Sequence, residues 1–119
     1  MSRPKTIFCD IDGTLVEHMK PSTAALPASK MIVLMGTLEK INEWDRNGYN
    51  IILTTGRRES MREQTIKQLS EVGIIYDQLI MGIGGGPRFL INDLKPNGSS
   101  PTAFAICVDR NEGISKVDV

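Results

Sequence analysis

Two carboxylates, Asp10 and Asp12, close the apolar run Thr6, Ile7, Phe8 and Cys9. The run is short and β-prone, which predicts a buried strand. Residues i and i+2 of a strand share a face, so both acids can meet one object just past the strand end. Gly13 then permits a sharp turn. Two neighbouring carboxylates repel each other, and a cation between them relieves the repulsion. A hard cation such as Mg²⁺ takes oxygen ligands, keeps several waters and completes its shell with phosphate. An acidic turn built on Asp12 and Gly13 would look the same in isolation, so the downstream residues decide.

A second apolar run, residues 49–53, leads into Thr54, Thr55, Gly56 and Arg57. A hydroxyl at a strand end, followed by glycine and a helix start, seats anionic oxygens well. Either threonine can be that hydroxyl; the one just before Gly56 is Thr55. A third run, Phe89, Leu90 and Ile91, ends in Asn92 and Asp93. Asp93 is the remaining candidate metal ligand, and an Asx-type turn is its plainer reading. Open parallel sheets bind ligands beyond the carboxyl ends of their strands. Three such ends therefore point to one site.

The elements that must position these residues follow from periodicity. Strands are predicted at about 6–10, 49–54, 77–81, 88–92 and 103–108. A helix is predicted over 37–47, with Thr37 as its cap and Leu38, Ile41 and Trp44 on its apolar face, ending at Asn47 and Gly48. A second helix is predicted over 58–72, with Met61, Thr65 or Ile66, Leu69 and Val72 inward, stopped by Gly73. Residues 15–35 are loop-rich and hold His18; residues 31–35 suit a short strand or a buried turn. Gly82, Gly84, Gly85 and Gly86 form a loop that is neither a dinucleotide fingerprint nor a P-loop. Its glycines permit close backbone approach near the site or near another subunit. Residues 97–100 read as loop, and residues after Asp109 as a polar, frayed tail. The sum is one α/β domain over 1–119.

Composition narrows the function. Lys+Arg and Asp+Glu are equal at 14 each, so no basic field is available to hold nucleic acid. Cys9 and Cys107 both lie in apolar runs and read as buried, reduced thiols. No signal-peptide pattern and no apolar run of membrane-spanning length is present, which leads to a cytoplasmic expectation.

The stretch Asp10, Ile11, Asp12, Gly13, Thr14 after a hydrophobic strand resembles motif I of the haloacid dehalogenase superfamily. The strand ending in Thr54, Thr55, Gly56 and Arg57 resembles motif II, and Asn92 and Asp93 resemble motif IV. The resemblance covers about residues 5–95. It implies a Rossmann-like three-layer α/β/α fold with a mostly parallel sheet, a flap at 15–35, and no cap domain, for which the chain has no room. It also implies a Mg²⁺-dependent phosphatase: Asp10 the nucleophile, Asp12 the general acid/base, and Mg²⁺ held by Asp10, Asp12 and Asp93. Thr55, Gly56 and Arg88 would hold the substrate phosphate. Motif III ordinarily supplies a lysine; no lysine lies between Lys67 and Lys95. Arg88 is the nearest replacement, with Lys67 and Lys95 as alternatives. The Thr-Gly-Arg ending resembles sugar-phosphatase branches, so a small phosphosugar ester is the first expectation. A nucleotide phosphatase, or a catalytically weak binding protein that keeps the fold, are the alternatives. Capless relatives often borrow a lid from a neighbouring subunit, so a homo-oligomer is expected.

Overall fold

The computed structural model describes residues 3–98 and 100–119; Met1, Ser2 and Ser99, the last expected in a loop, lie outside the described residues. Three strands form an open parallel sheet in the order β1-β2-β3: β1 Thr6–Asp10, β2 Asn50–Thr54 and β3 Gln78–Ile80. The register sets Asp10 opposite Thr54, and Thr54 opposite Ile80, so the three carboxyl ends lie level. Three helices follow the strands or precede them: α1 Pro21–Ala24, α2 Thr37–Arg46 and α3 Arg62–Glu71, the last led in by a 3-10 turn at Glu59–Met61. This is a Rossmann-like α/β fold, and the described residues hold no cap. No described helix is long and apolar enough to cross a membrane.

The core gathers Ile11, Leu15, Val16, Ile41, Trp44, Ile51, Leu53 and Leu69, all nearly inaccessible to water. On β2 the central Ile51, Ile52 and Leu53 are all buried, as expected of a strand with neighbours on both sides. On α3 the inward positions are Thr65, Gln68 and Leu69, and Ile66 faces out. Helix α2 begins one residue beyond its cap: Gly36, at φ 87°, takes the cap position. Thr37 therefore does not cap the helix. Its buried hydroxyl donates to the Leu15 carbonyl at 2.7 Å and ties α2 to the loop after β1. Asn47 and Gly48 end α2 as expected, with Gly48 at φ 75°.

Three expectations are corrected. Residues 88–92 and 103–108 form no strands. They are β-prone, but among the described residues no segment pairs with them as a strand, and their apolar side chains Phe89, Leu90, Ile91, Phe104 and Ile106 stand exposed. Cys107 is exposed for the same reason, whereas Cys9 is buried in β1. The residues after Asp109 are docked, not frayed. Ile114 enters the core, and its amide donates to the Met35 carbonyl. Gly113 is packed against Met35 so closely that a Cβ there would meet the Met35 carbonyl oxygen at 2.3 Å. The apolar Ile114 and Val117 supply the burial that holds this segment down.

Candidate active site

The turn after β1 is built on one carbonyl. The Ile11 oxygen accepts from the amides of Thr14, Leu15 and Val16, at 3.2, 2.9 and 3.2 Å. Gly13, at φ 87°, closes the turn by donating to the Val16 carbonyl at 2.7 Å. That tight loop presents Asp10 half-buried at the strand end. Its carboxylate accepts from the Thr14 hydroxyl at 3.2 Å and from the Ile11 amide. Burial pushes the Asp10 carboxyl above its ordinary value. The Thr14 and Ile11 hydrogen bonds work against this, the Asp12 charge adds to it, and the Arg88 charge opposes it.

Asp12 is held by a residue to which sequence reasoning gave no role. The Arg57 guanidinium grips it with two parallel bonds, Nε to Oδ2 at 2.8 Å and Nη2 to Oδ1 at 2.9 Å. The remaining nitrogen, Nη1, donates to Thr65 Oγ1 at 3.1 Å and to Gln68 Oε1 at 2.7 Å. Arg57 is 7% exposed and Asp12 16% at the side chain. A planar fork with this many donors suits a carboxylate better than an ammonium would. Gln68, buried on α3, then spends its amide on the Ala24 and Ser29 carbonyls. One chain of polar contacts thus runs from the loop after β1 through the loop after β2 to α3 and the flap. The sequence signal was present in the Gly56-Arg57 pair and in a glutamine on the inward face of α3.

At the end of β2 the two threonines part company. Thr54 is opposite Asp10 in register, so the two side chains leave the sheet on the same face. Thr55 is buried; its hydroxyl accepts from the Arg57 amide at 3.0 Å and keeps its own proton to donate. The glycine loop lies against this turn. Gly82 donates to the Arg57 carbonyl at 2.7 Å, Ile83 donates to the Thr55 carbonyl at 3.3 Å, and a Cβ on Gly56 would stand 3.0 Å from the Gly84 carbonyl. Close backbone approach is therefore the use made of Gly56, at the site; Gly82 and Gly84 have open space around them and serve by their positive φ, 74° and 77°.

The other expected residues are placed as follows. Arg88 is exposed, bonds back to the Gly86 carbonyl, and lies within electrostatic reach of Asp10. Asp93 and Asn92 lie on the exposed segment beyond it, and Lys95 is further along. Lys67 is on the exposed side of α3. His18 is exposed, and its amide donates to the Asn111 side chain at 2.7 Å. Asn111 in turn donates its amide to the Gly13 carbonyl at 2.8 Å, so the C-terminal segment braces the loop after β1.

The structure brings Asp10 and Asp12 together with Thr54, Thr55 and Gly56, and leaves Asp93 apart from them. Among the described residues no group of three or more acidic, histidine or cysteine side chains is placed to hold a metal. A Mg²⁺ ion needs only one or two carboxylates when waters and phosphate complete its shell. Asp10, with one carboxylate oxygen beyond its Thr14 bond, fits that need in part; the Asp12 carboxylate is occupied by Arg57.

A family model described as haloacid dehalogenase-like hydrolase matches residues 7–80. A chain of the Pnkp1/Rnl/Hen1 RNA repair complex is similar at 32% identity and a TM-score of 0.57, over 66% of this chain and 25% of that one. A chain from a second Pnkp1/Rnl/Hen1 structure is similar at 32% identity and a TM-score of 0.58, over 66% and 27%. This chain thus spans about a quarter of their length. A Vibrio cholerae protein shares the fold at 20% identity and a TM-score of 0.53, over 75% of this chain and 80% of that one. No curated protein matches.

Proposed function

The chain belongs to the haloacid dehalogenase-like hydrolases, and from that premise we propose that it hydrolyses phosphomonoesters through an aspartyl-phosphate on Asp10. The observation that carries this reading is the level alignment of Asp10 with Thr54, beside Asp12 and the Thr55–Gly56 turn, at the carboxyl edge of a parallel sheet. Asp10 attacks phosphorus, and the ester P–O bond breaks. The leaving alkoxide takes a proton from Asp12. In the second half Asp12 takes a proton from water, whose oxygen attacks the phosphoryl group and frees Asp10. Arg57 fixes where the Asp12 carboxylate points and holds it ionised, ready to take the proton of water; release from Arg57 and protonation precede its donation to the leaving alkoxide. Thr54, Thr55, the Gly56 amide and Arg88 are the groups available to the non-bridging oxygens. Asp10 and the Asp12 backbone carbonyl would hold Mg²⁺, with Asp93 completing the set once brought beside them, and the ion would neutralise phosphate charge.

The substrate proposed is a small phosphosugar ester, on the strength of the Thr-Gly-Arg ending of β2. The test is phosphate release from an aryl phosphate, sugar phosphates, nucleotides and a phosphorylated RNA end, with and without Mg²⁺. The RNA end belongs in the panel because two similar chains come from an RNA repair complex. Mg²⁺-dependent release that Asp10→Asn abolishes supports the reading. Release that survives Asp10→Asn refutes the covalent mechanism, and a folded, metal-loaded protein inert on the whole panel refutes the phosphatase assignment.

A further inference from the structure

Residues 84–110 leave the body of the molecule and return to it at the site itself. The departure is pinned where Ile83 meets Thr55, and the return where Asn111 meets Gly13. Between these roots lies an arm with two legs outside any helix or strand, 88–93 outward and 102–108 back, the end of the second, 106–108, lining a cavity with Gly113, Lys116 and Val117 at the root. The arm is joined near its tip by the Lys95–Ser100 backbone bond and by contacts of Thr102 with Asn92 and Asp93. Among the described residues no backbone hydrogen bond ties either leg to the body. The arm makes the molecule long, 52 Å by 28 by 25 Å. Its radius of gyration of 15.1 Å exceeds the about 13.5 Å expected of a compact chain of this length.

The arm is not built for water. Phe89 is 88% exposed and Ile91 90%. Extended apolar segments with unpaired amides and carbonyls seek a sheet edge. The sheet has two, outside β1 and outside β3; the β1 edge is the one beside Asp10, and Phe8 on that strand is 52% exposed. The arm cannot fill its own edge in a useful direction. It starts at the carboxyl ends of the strands, so a leg laid along its own β1 runs antiparallel to it. Five residues further on, Asp93 would then sit about 17 Å from Asp10. A parallel placement in the same chain needs a crossover of about a dozen residues, and only 81–87 separate β3 from the leg.

A second copy meets both conditions at once. We infer that two copies exchange arms, so that residues 89–92 of each lie parallel to β1 of the other and deliver Asp93 beside its Asp10. A two-fold axis makes this closed and self-complementary: each protomer offers one arm and one edge. The two arms lie antiparallel at the centre of one continuous sheet, and each site gains its third carboxylate from its partner. The inference rests on the proposed function for the role of Asp93, and on the geometry alone for the exchange.

Three measurements test it. Light scattering should give twice the 13.1 kDa of the chain. Ile91→Asp should give a folded monomer by circular dichroism; a monomeric wild type, or a variant that stays dimeric, overturns the exchange. With Asp93 beside Asp10, Ile91 falls beside Phe8, at a separation a disulfide can bridge. Phe8→Cys with Ile91→Cys, in a chain carrying Cys9→Ser and Cys107→Ser, should therefore oxidise to a covalent dimer. A band of single-chain mass only overturns the proposal. Asp10→Asn co-expressed with Asp93→Asn should recover about one quarter of wild-type turnover, since half the dimers are mixed and each has one whole site. No recovery between two inactive parents, or full activity of Asp93→Asn alone, overturns delivery of Asp93 across the dimer. Wild type inert on every ester would instead count against the proposed function, and the mass and cross-link would still decide the exchange.

Discussion

Replacing Arg57 by methionine should unfold the protein far more readily than the loss of an ordinary surface ion pair would. The side chain is 7% exposed, and its partner Asp12 is 16% exposed. Removing one member of a buried pair costs about 3–5 kcal/mol, because the other charge stays behind uncompensated. Residual water access to Asp12 favours the lower end, about 3 kcal/mol. Gln68 Oε1 and Thr65 Oγ1 also lose a donor in places closed to water. With a urea slope of about 1.5–2 kcal/mol/M, the midpoint should fall by about 1.5–2 M. The decisive comparison is a double-mutant cycle with Asp12→Asn, followed by circular dichroism at one protomer concentration. Adding Asp12→Asn to Arg57→Met removes the stranded charge, so the coupling should be at least about 1 kcal/mol. Additive losses, or a midpoint shift below about 0.5 M, would refute the view that Arg57 is held in place chiefly by Asp12.

Other outcomes follow from named contacts. Asp10 is pushed above its ordinary value of 3.8 by burial, so its ionisation opposes folding. Its contribution falls as pH rises from 3.8 through the raised native value. Asp10→Asn should therefore raise the melting temperature in metal-free buffer at pH 7, and the gain should vanish below pH 3.8; a gain independent of pH would contradict this. Cys9 is pushed up to about 12 by burial and by the charge of Asp10. In Cys107→Ser, mass spectrometry should find no maleimide adduct at pH 8 until urea is added; rapid native labelling would show that β1 opens. Gly113→Ala should cost at least about 1–2 kcal/mol from its positive φ alone, and more from the collision with Met35. Gly73→Ala, at a similar φ of 79° with open space around it, isolates the backbone part; equal losses in the two variants would show that the Met35 contact yields.

The parts of the fold legible in the sequence are those set by local pattern. Strands β1, β2 and β3 and helices α2 and α3 announce themselves through apolar period and terminal glycines. Asp10, Asp12 and the Thr54–Thr55 pair announce themselves as polar groups at strand ends. What was not legible depends on what a segment meets. Residues 88–92 have the composition of a strand, yet a strand needs a neighbour, and composition does not say where that neighbour is. Ile114 looks like part of a polar tail, because Ile114, Val117 and Val119 among charges are too few to set a period. Arg57 was visible as part of a motif, but its hold on Asp12 spans 45 positions, and only the register of β1 against β2 brings the two together.

The bridge between Val16 and Val33 joins the two ends of the flap, with Glu17 also donating to the Ile32 carbonyl at 2.8 Å. The two ends are thus neighbours, and the turn after β1 is closed by its own backbone bonds, while Ala24 and Ser29 between the ends brace Gln68 behind Arg57. Lengthening the intervening segment costs little, about 0.6 kcal/mol for each doubling of a flexible loop. This is a port for grafting. A peptide, a reporter or a whole folded module can be spliced at the exposed residues 27–28, leaving the Ala24 and Ser29 carbonyls on Gln68 and the acids in place.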